Sequence, residues 1–229
     1  MSTHCTIHYR RDWSSKGDPT SPTSPRRIPP KSPSIAHSIN TTPSPLPPKL
    51  PTMPPGRDAP ILPRVLVTGG CGFVGSELLD HLLQRHPTTP ITVIDLRPPP
   101  TRFHAIAQID FYQADLNDRS KIRHILEITR PVIIFHVAGL IPSPNVKDKT
   151  LYQKHNFEAT KVLVEECINI LVNDEGGSQI KAFIYTSSSD AVKGRRELAG
   201  IDERAPYPKV YLGEYAESKV MSSVGSFPS

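Results

Sequence analysis

The sequence predicts an α/β fold with a doubly wound parallel β-sheet, and three observations carry that prediction. From Arg64 onward, short apolar runs alternate with segments whose apolar residues recur at helical spacing. Residues 132–137 form one apolar run, as expected of a parallel strand buried on both faces. A glycine-rich turn at residues 69–75 joins the first strand to the first helix. In such sheets ligands bind at the carboxyl ends of the strands.

The first half of the sheet is predicted from two apolar runs and the helix between them. Strands are predicted at residues 65–67 and 91–94. The intervening helix, at 76–86, should bury one face and end before Pro87. The residues of that face are Leu78, Leu79, Leu82 and Leu83.

A third strand is expected near Phe111 and Tyr112. Asn117 or Asp118 could cap the helix that follows, and Pro131 should close it. Its core face is predicted to be Ile122, Ile125 and Leu126.

The longest helix is predicted at residues 155–172, between a fourth strand at 132–137 and a fifth at 182–185. Its inward residues are expected to be Ala159, Val162, Leu163, Ile170 and Leu171. Helical character should be lost abruptly from Ser222 onward.

Residues 1–60 are predicted to be a disordered, basic, Pro/Ser-rich tail, and residues 61–229 the folded domain. The tail holds fourteen of the 26 prolines and little apolar surface to offset the entropy of ordering. It carries eight Lys and Arg against three Asp and Glu, which accounts for the net charge of +5. The domain is therefore neutral, and the basic pI gives no argument for nucleic-acid binding. A polyproline-ligand role for residues 48–51 is the alternative to a solvated tail.

The cysteine count and the hydropathy favour a cytoplasmic protein. Cys5, Cys71 and Cys167 are scattered, which suits a reducing compartment and shows no zinc-ligand spacing, so no metal site is predicted. No apolar run approaches the ~20 residues of a membrane span, and no secretory signal is recognised near the start.

The glycine turn predicts a dinucleotide site. Gly69 would allow the tight turn, Gly72 would leave room for a pyrophosphate, and Gly75 would let the helix lie close to the strand. The phosphates would meet free N–H groups at the positive end of the helix. Asp95, at the end of the second strand, is placed to accept hydrogen bonds from a ribose. An ordinary Gly-rich turn is the alternative, but this context favours an NAD(P)-binding Rossmann fold.

Two further sequence patterns predict catalytic side chains. Tyr215 and Lys219 share one face of a helix, so the ammonium would favour the phenolate form, which can accept the proton of an alcohol. The lysine could also hold a ribose. Residues 186–189, Thr-Ser-Ser-Ser, follow the fifth strand, where a hydroxyl can hydrogen-bond a substrate oxygen. Taken alone, each pattern also fits an exposed helix face or a Ser-rich turn.

Together these stretches resemble the extended short-chain dehydrogenase/reductases. Within them the chain is most similar to the branch of 3β-hydroxysteroid and sterol-4α-carboxylate 3-dehydrogenases (decarboxylating). The matching stretches are residues 65–75, 93–97, 115–116, 136–139, Asn156, 183–188 and 215–219.

The resemblance implies roles for individual residues. Tyr215 would be the base and Lys219 its partner, with Ser188 as the catalytic serine, or Ser189 in a shifted alignment. Asp115 would contact the adenine, residues 136–139 would line the cofactor, and Asn156 would steady the central helix. Asp95 points to NAD, although the nearby Arg97 leaves NADP open. The implied cofactor-binding residues are Gly69, Gly72, Phe73, Val74, Gly75, Asp95, Asp115, Leu116, Val137, Ala138, Gly139, Asn156, Tyr215 and Lys219.

The resemblance further implies an NAD-dependent oxidoreductase acting on the CH–OH group of a small, sterol-like substrate. A nucleotide-sugar epimerase or dehydratase is one alternative, and a non-catalytic cofactor-binding relic is another. Family members continue for more than a hundred residues past the helix of Tyr215, so the sheet is expected to be incomplete at the C-terminus. Peripheral association with the endoplasmic reticulum and a homodimer are open under this resemblance.

Overall fold

The computed structural model describes residues 62–173, 180–194, 201–202 and 204–226. All of them belong to one compact unit, residues 55–228. The predicted disordered tail at residues 1–60 lies outside the described residues.

The core of this unit is a five-stranded, entirely parallel sheet. The strand order is β3-β2-β1-β4-β5, so the sheet is doubly wound, as the sequence predicts. The order reverses between β1 and β4, where Thr68 pairs with His136, so the carboxyl ends of these strands open the crevice that binds ligands in such folds. The strands are β1 (Val65–Thr68), β2 (Ile91–Asp95), β3 (Ile109–Gln113), β4 (Ile133–His136) and β5 (Ala182–Tyr185).

Within the described part of the chain, five α-helices connect or follow the strands. A π-helical segment, Gln153–Glu158, joins α3 to α4, so the long helix begins at Thr150, five residues before its predicted start. Short 3₁₀ turns lie at Thr101–Phe103 and Ser189–Ala191. The helices are α1 (Phe73–Arg85), α2 (Arg119–Thr129), α3 (Thr150–Tyr152), α4 (Ala159–Asn173) and α5 (Glu214–Gly225).

The two faces of the sheet bury separate apolar clusters because side chains alternate along each strand. On one face α1 packs Leu79 and Leu82 against Val65 and Val67 of β1. On the other face α2 and α4 pack against Leu66, which points the opposite way. The predicted core face of α2 is confirmed, since all three of its residues are buried: Ile122, Ile125 and Leu126.

Helix α2 begins at a side-chain cap and ends at a residue with a left-handed backbone conformation. Of the two predicted caps, the structure selects Asp118, whose Oδ1 accepts a hydrogen bond of 3.1 Å from the Lys121 N–H. The helix ends at Thr129, and Arg130 then adopts φ 44°, a left-handed conformation that turns the chain into Pro131 and β4.

Two expectations about helices are wrong. Leu171 is 46% exposed rather than inward, because the buried face of α4 runs through Val164 and Cys167 instead. Glu166 on that face is fully buried and paired with Arg119 and Arg123 of α2. Helix α5 continues past Ser222 to Gly225, since Ser222 bonds back to the Ser218 carbonyl and is buried.

None of the described helices combines the length and apolar character needed to cross a membrane.

Candidate active site

The glycine turn brings three elements into backbone contact. Gly69 has φ 74°, and a Cβ added there would lie 2.7 Å from Cα and N of Ala138, after β4. A Cβ on Gly75 would overlap the Gly69 carbonyl oxygen. Both glycines are therefore required for α1 to begin directly against the ends of β1 and β4. The first N–H groups of α1 have no carbonyl four residues earlier in the helix, so they are available to an anion.

Asp95 fixes this turn from the neighbouring strand. Its carboxylate, at the buried end of β2, accepts hydrogen bonds from the Cys71 N–H (2.9 Å) and the Arg97 N–H (3.0 Å). The Arg97 side-chain Nε lies 3.6 Å from Asp95 Oδ1. A carboxylate has about four acceptor positions, so the two backbone bonds leave capacity for a ribose hydroxyl. Burial, and next the charge of Asp95, raise the pKa of the Cys71 thiol to about 11, which keeps it protonated and unreactive.

The predicted adenine-side residues follow β3 and begin α1. Asp115 Oδ1 accepts hydrogen bonds from both the backbone and the side-chain nitrogen of Asn117. The Leu116 side chain is buried in the core. Phe73 is 93% exposed and Val74 is largely exposed at the first turn of α1, where they border the glycine turn.

The Asn156 side chain hydrogen-bonds to the segment after β4 and to α5. It lies in the π-helical segment and is only 1% exposed. Its Oδ1 accepts from the Leu140 N–H (2.7 Å), and its Nδ2 donates to the Leu140 carbonyl (3.1 Å) and to Ser218 Oγ on α5 (3.0 Å). The side chain therefore fixes the segment after β4 and the position of α5 together.

His136 does not line the crevice, contrary to what the resemblance implied. Its side chain is 1% exposed and is held beneath the surface by the hydroxyls of Thr68 and Thr160. The ring stacks on Tyr185 of β5, with centroids 5.5 Å apart. Residues 137–139, which continue from β4, lie at the crevice instead: the backbone of Ala138 contacts the glycine turn and Gly139 lies against Lys219.

Lys219 reaches from α5 to the ends of β4 and β5. Its ammonium donates to the Thr186 carbonyl (3.1 Å) and lies 5.0 Å from the centre of the Tyr185 ring. A Cβ on Gly139 would lie 3.1 Å from Lys219 Nζ. The residue is 4% exposed, and this burial lowers the pKa of its amino group from 10.5 to about 8.

Tyr215 is half-buried one helical turn before Lys219, and its ring meets Tyr152 edge-on with centroids 5.8 Å apart. Sequence reasoning missed both Tyr152 and Tyr185, because no local motif marks an aromatic neighbour supplied by another element. Burial raises the pKa of the Tyr185 hydroxyl to about 12, so this phenol stays protonated and is no candidate base.

The serines follow β5 on a turn that packs against α5. Ser188 begins the 3₁₀ turn Ser189–Ala191, and its hydroxyl accepts a hydrogen bond of 3.2 Å from the Asp190 N–H. Ser189 is exposed, and Ser187 Oγ lies 3.3 Å from Ser223 Oγ of α5. The structure thus brings the serine turn to the helix of Tyr215.

Comparison with proteins of known sequence identifies the family. The model of the 3-beta hydroxysteroid dehydrogenase/isomerase family matches residues 66–224. A sterol-4-alpha-carboxylate 3-dehydrogenase, decarboxylating, from Candida albicans is 28% identical over 163 residues, covering 69% of this chain and 43% of that protein. A 3 beta-hydroxysteroid dehydrogenase/Delta 5-->4-isomerase from Mycobacterium tuberculosis is 31% identical over 164 residues, covering 70% of this chain and 41% of that protein.

Solved structures agree on the fold. The UDP-glucose 4-epimerase of Thermus thermophilus in complex with NAD superposes with a TM-score of 0.57 at 26% identity, covering 69% of this chain and 48% of that one. The UDP-Glc/GlcNAc 4-epimerase of Campylobacter jejuni gives 0.58 at 24% identity, covering 69% and 46%. The chain thus spans less than half the length of these relatives. Because the family model matches more than half of it, the chain belongs to the 3-beta hydroxysteroid dehydrogenase/isomerase family.

Proposed function

We propose that the chain binds NAD across the carboxyl ends of its strands. The glycine turn fits a diphosphate, since side chains are excluded at Gly69 and Gly75 and the first N–H groups of a helix favour an anion. Asp95 would hold the adenosine ribose, and Asp115 with the Leu116 backbone would border the adenine. The residues that would contact the cofactor are those implied by the resemblance: Gly69, Gly72, Phe73, Val74, Gly75, Asp95, Asp115, Leu116, Val137, Ala138, Gly139, Asn156, Tyr215 and Lys219.

The proposed reaction is the oxidation of a secondary alcohol, and the bound NAD would accept the hydride from the alcohol carbon. Ser188 would hydrogen-bond the substrate oxygen, with Ser189 as the alternative. The Tyr215 phenolate would take the hydroxyl proton. Lys219 would favour that phenolate and donate a hydrogen bond to the nicotinamide ribose.

One observation carries this proposal: the Lys219 ammonium lies against Gly139 and the Thr186 carbonyl, at the crevice between the strand ends. Buried ionisable groups with a perturbed pKa are concentrated at functional sites, and Lys219 lies where a nicotinamide would lie. Tyr215 lies one helical turn before Lys219 on α5, which supports a shared role for the two side chains.

The proposed substrate is the 3β-hydroxyl of a steroid or of a sterol 4α-carboxylate, as in steroid or sterol biosynthesis. The family match and the Candida albicans relative support this class. The alternative, a nucleotide-sugar epimerase or dehydratase, is supported by the superposition on UDP-glucose 4-epimerases. A cytoplasmic location and a homodimer remain predictions that accompany this proposal.

The test is a comparison of Tyr215→Phe with Tyr207→Phe, an exposed tyrosine to which the proposal assigns no role. Tyr215→Phe should lower kcat for a 3β-hydroxysteroid by about 10²–10⁴-fold, the usual contribution of a general base, with little change in the Kd for NAD. Tyr207→Phe should match the parent. The assay follows formation of reduced cofactor, with UDP-glucose epimerisation as a parallel arm. Equal turnover of the Tyr215→Phe variant and the parent would remove Tyr215 as the base.

A further inference from the structure

His136 lies in the middle of a hydrogen-bond chain that runs through the candidate site without reaching the surface. Its Nδ1 is 2.6 Å from Thr68 Oγ1, and its Nε2 is 2.7 Å from Thr160 Oγ1. Thr68 ends β1, directly before the glycine turn, and Thr160 lies in the first turn of α4. Which ring nitrogen carries a proton can be assigned from the neighbours of these hydroxyls.

The hydroxyl proton of Thr160 is donated to a backbone carbonyl. Its hydroxyl lies 2.6 Å from the backbone carbonyl of Asn156, which can only accept. Because a hydroxyl has one proton, the Thr160 oxygen must accept at its other contact. Nε2 of His136 therefore carries the hydrogen that Thr160 accepts.

The contact between Nδ1 of His136 and Thr68 also indicates a proton on Nε2. The Thr68 hydroxyl accepts a hydrogen bond from the Ala138 N–H (3.3 Å), so it can give its own proton to a bare Nδ1 of His136. If Nδ1 carried the proton instead, Thr68 would accept twice, and its own hydrogen would find no acceptor among the described residues. The Nε2–H form satisfies every group in the chain.

The surroundings also disfavour an imidazolium. Burial, and next the Lys219 charge on α5, lower the pKa of His136 to about 3. Tyr185 of β5 contacts both groups, since its ring stacks on the imidazole and lies 5.0 Å from the Lys219 ammonium. A charged imidazole would compete with Lys219 for the same ring.

From Thr160 the chain continues to the helix that carries the proposed base. Asn156, whose carbonyl receives the Thr160 proton, donates through its side chain to Ser218, and Ser218 donates to the Tyr215 carbonyl (2.8 Å). The same Asn156 side chain holds Leu140 after β4. One continuous set of bonds thus joins the glycine-turn side of the crevice to the backbone of Tyr215.

We propose that His136 is a positioning residue, held as the neutral Nε2–H tautomer, which fixes the strand ends against the helix carrying Tyr215 and Lys219. The hydrogen-bond assignment stands on geometry alone, whereas the consequence for turnover rests on the proposed function. A fixed neutral ring holds the strand end and α4 at a constant distance, as positioning of reacting groups within an ångström requires.

Nuclear magnetic resonance of the full chain with ¹⁵N-labelled histidine tests the tautomer directly. The His136 signal is identified by its loss in His136→Phe, which keeps an aromatic ring against Tyr185. We expect a protonated Nε2 and a bare Nδ1, unchanged between pH 5 and 9. A protonated Nδ1, or titration within this range, would overturn the assignment.

Thr160→Val and Thr160→Ser then test the positioning role, because valine keeps the shape and serine keeps the hydroxyl. In Thr160→Val the Nε2–H loses its acceptor, so an Nδ1–H signal should appear and the Leu140 amide should exchange faster with solvent. The kcat should fall by about tenfold to a hundredfold with a smaller change in the KM for NAD. Thr160→Ser should restore the kcat and the Leu140 exchange rate of the parent.

The outcomes separate this inference from the proposed function. If the parent chain shows the expected tautomer but no NAD-dependent turnover, the proposed function fails and Leu140 exchange alone decides the positioning role. Identical Leu140 exchange in the valine and serine variants would refute that role, as would identical kcat values in an active chain.

Discussion

Replacing the buried ammonium of Lys219 with the neutral side chain of methionine should change how the stability of the protein depends on pH. Burial holds the pKa of Lys219 at about 8 in the folded chain, below its ordinary value of 10.5. Between these values the unfolded chain holds a proton that the folded chain has released. The free energy of unfolding contributed by this group therefore rises with pH across the window from about 8 to 10.5.

The magnitude follows from the same two values. A displacement of one pKa unit corresponds to about 1.4 kcal/mol, so the shift from 10.5 to about 8 corresponds to a destabilisation of about 3 kcal/mol below pH 8. Lys219→Met removes this destabilisation at low pH, and the part of its effect that comes from the charge vanishes above pH 10.5, where the lysine is neutral in both states. Losing the bond to the Thr186 carbonyl adds an opposite cost of about 1 kcal/mol that does not vary with pH.

Urea unfolding of parent and variant at intervals from pH 6.5 to 10.5 measures this difference, because groups common to both chains cancel. The free energy of unfolding of Lys219→Met minus that of the parent should fall by about 3 kcal/mol as the pH rises, from a positive value to a slightly negative one. Lys147→Met, at an exposed position, is the control and should leave a constant gap. Parallel curves for the Lys219→Met variant and the parent would refute the claim that the ammonium is desolvated.

Three further changes test individual contacts. Glu166→Gln removes a fully buried carboxylate from its two arginines and should destabilise by about 2–3 kcal/mol, whereas Glu165→Gln, which is partly exposed, should cost less than about 1 kcal/mol in urea unfolding. Gly75→Ala should destabilise by about 1–3 kcal/mol, because its Cβ overlaps the glycine turn. Gly213→Ala has open space at the N-cap of α5 and should cost less than about 1 kcal/mol in thermal unfolding. Asp95→Asn should weaken NAD binding in calorimetry. It should also narrow the difference in affinity between NAD and NADP, since the carboxylate repels a 2′-phosphate.

Each of these has a clear contrary result. Equal effects of the two glutamate changes would mean that the Glu166 pair behaves as a surface pair. A stable Gly75→Ala protein would show that α1 can withdraw from the turn. An unchanged preference between NAD and NADP in Asp95→Asn would remove Asp95 from the ribose site.

Much of the fold was readable from the sequence because local signals and tertiary packing agree. Asp118 caps α2 as one of the two predicted options, and Gly69 adopts the positive φ expected of the tight turn. The five apolar runs became the five parallel strands. These features depend on residues within one turn or one strand of each other, which a sequence displays directly.

The rest depends on contacts between distant elements. Leu171 follows helical spacing, but the α2–α4 interface, with Glu166 at its centre, turns the helix so that Leu171 is exposed. The burial of His136 beneath Thr68 and Thr160 joins three elements, and no single stretch of sequence reveals it. The positions of Ser188, Tyr215 and Lys219 as a working site remain predictions, supported by the packing of α5 against the turn after β5.

The central claim is that a nicotinamide dinucleotide lies across the strand ends against the glycine turn. Isothermal titration calorimetry of the folded chain with NAD tests it most directly, with a Gly72→Asp variant that adds a negative charge where the diphosphate would lie. The account predicts saturable one-site binding to the parent and its loss in the variant. The absence of heat with oxidised and with reduced coenzyme, or equal binding to the Gly72→Asp variant, would contradict it.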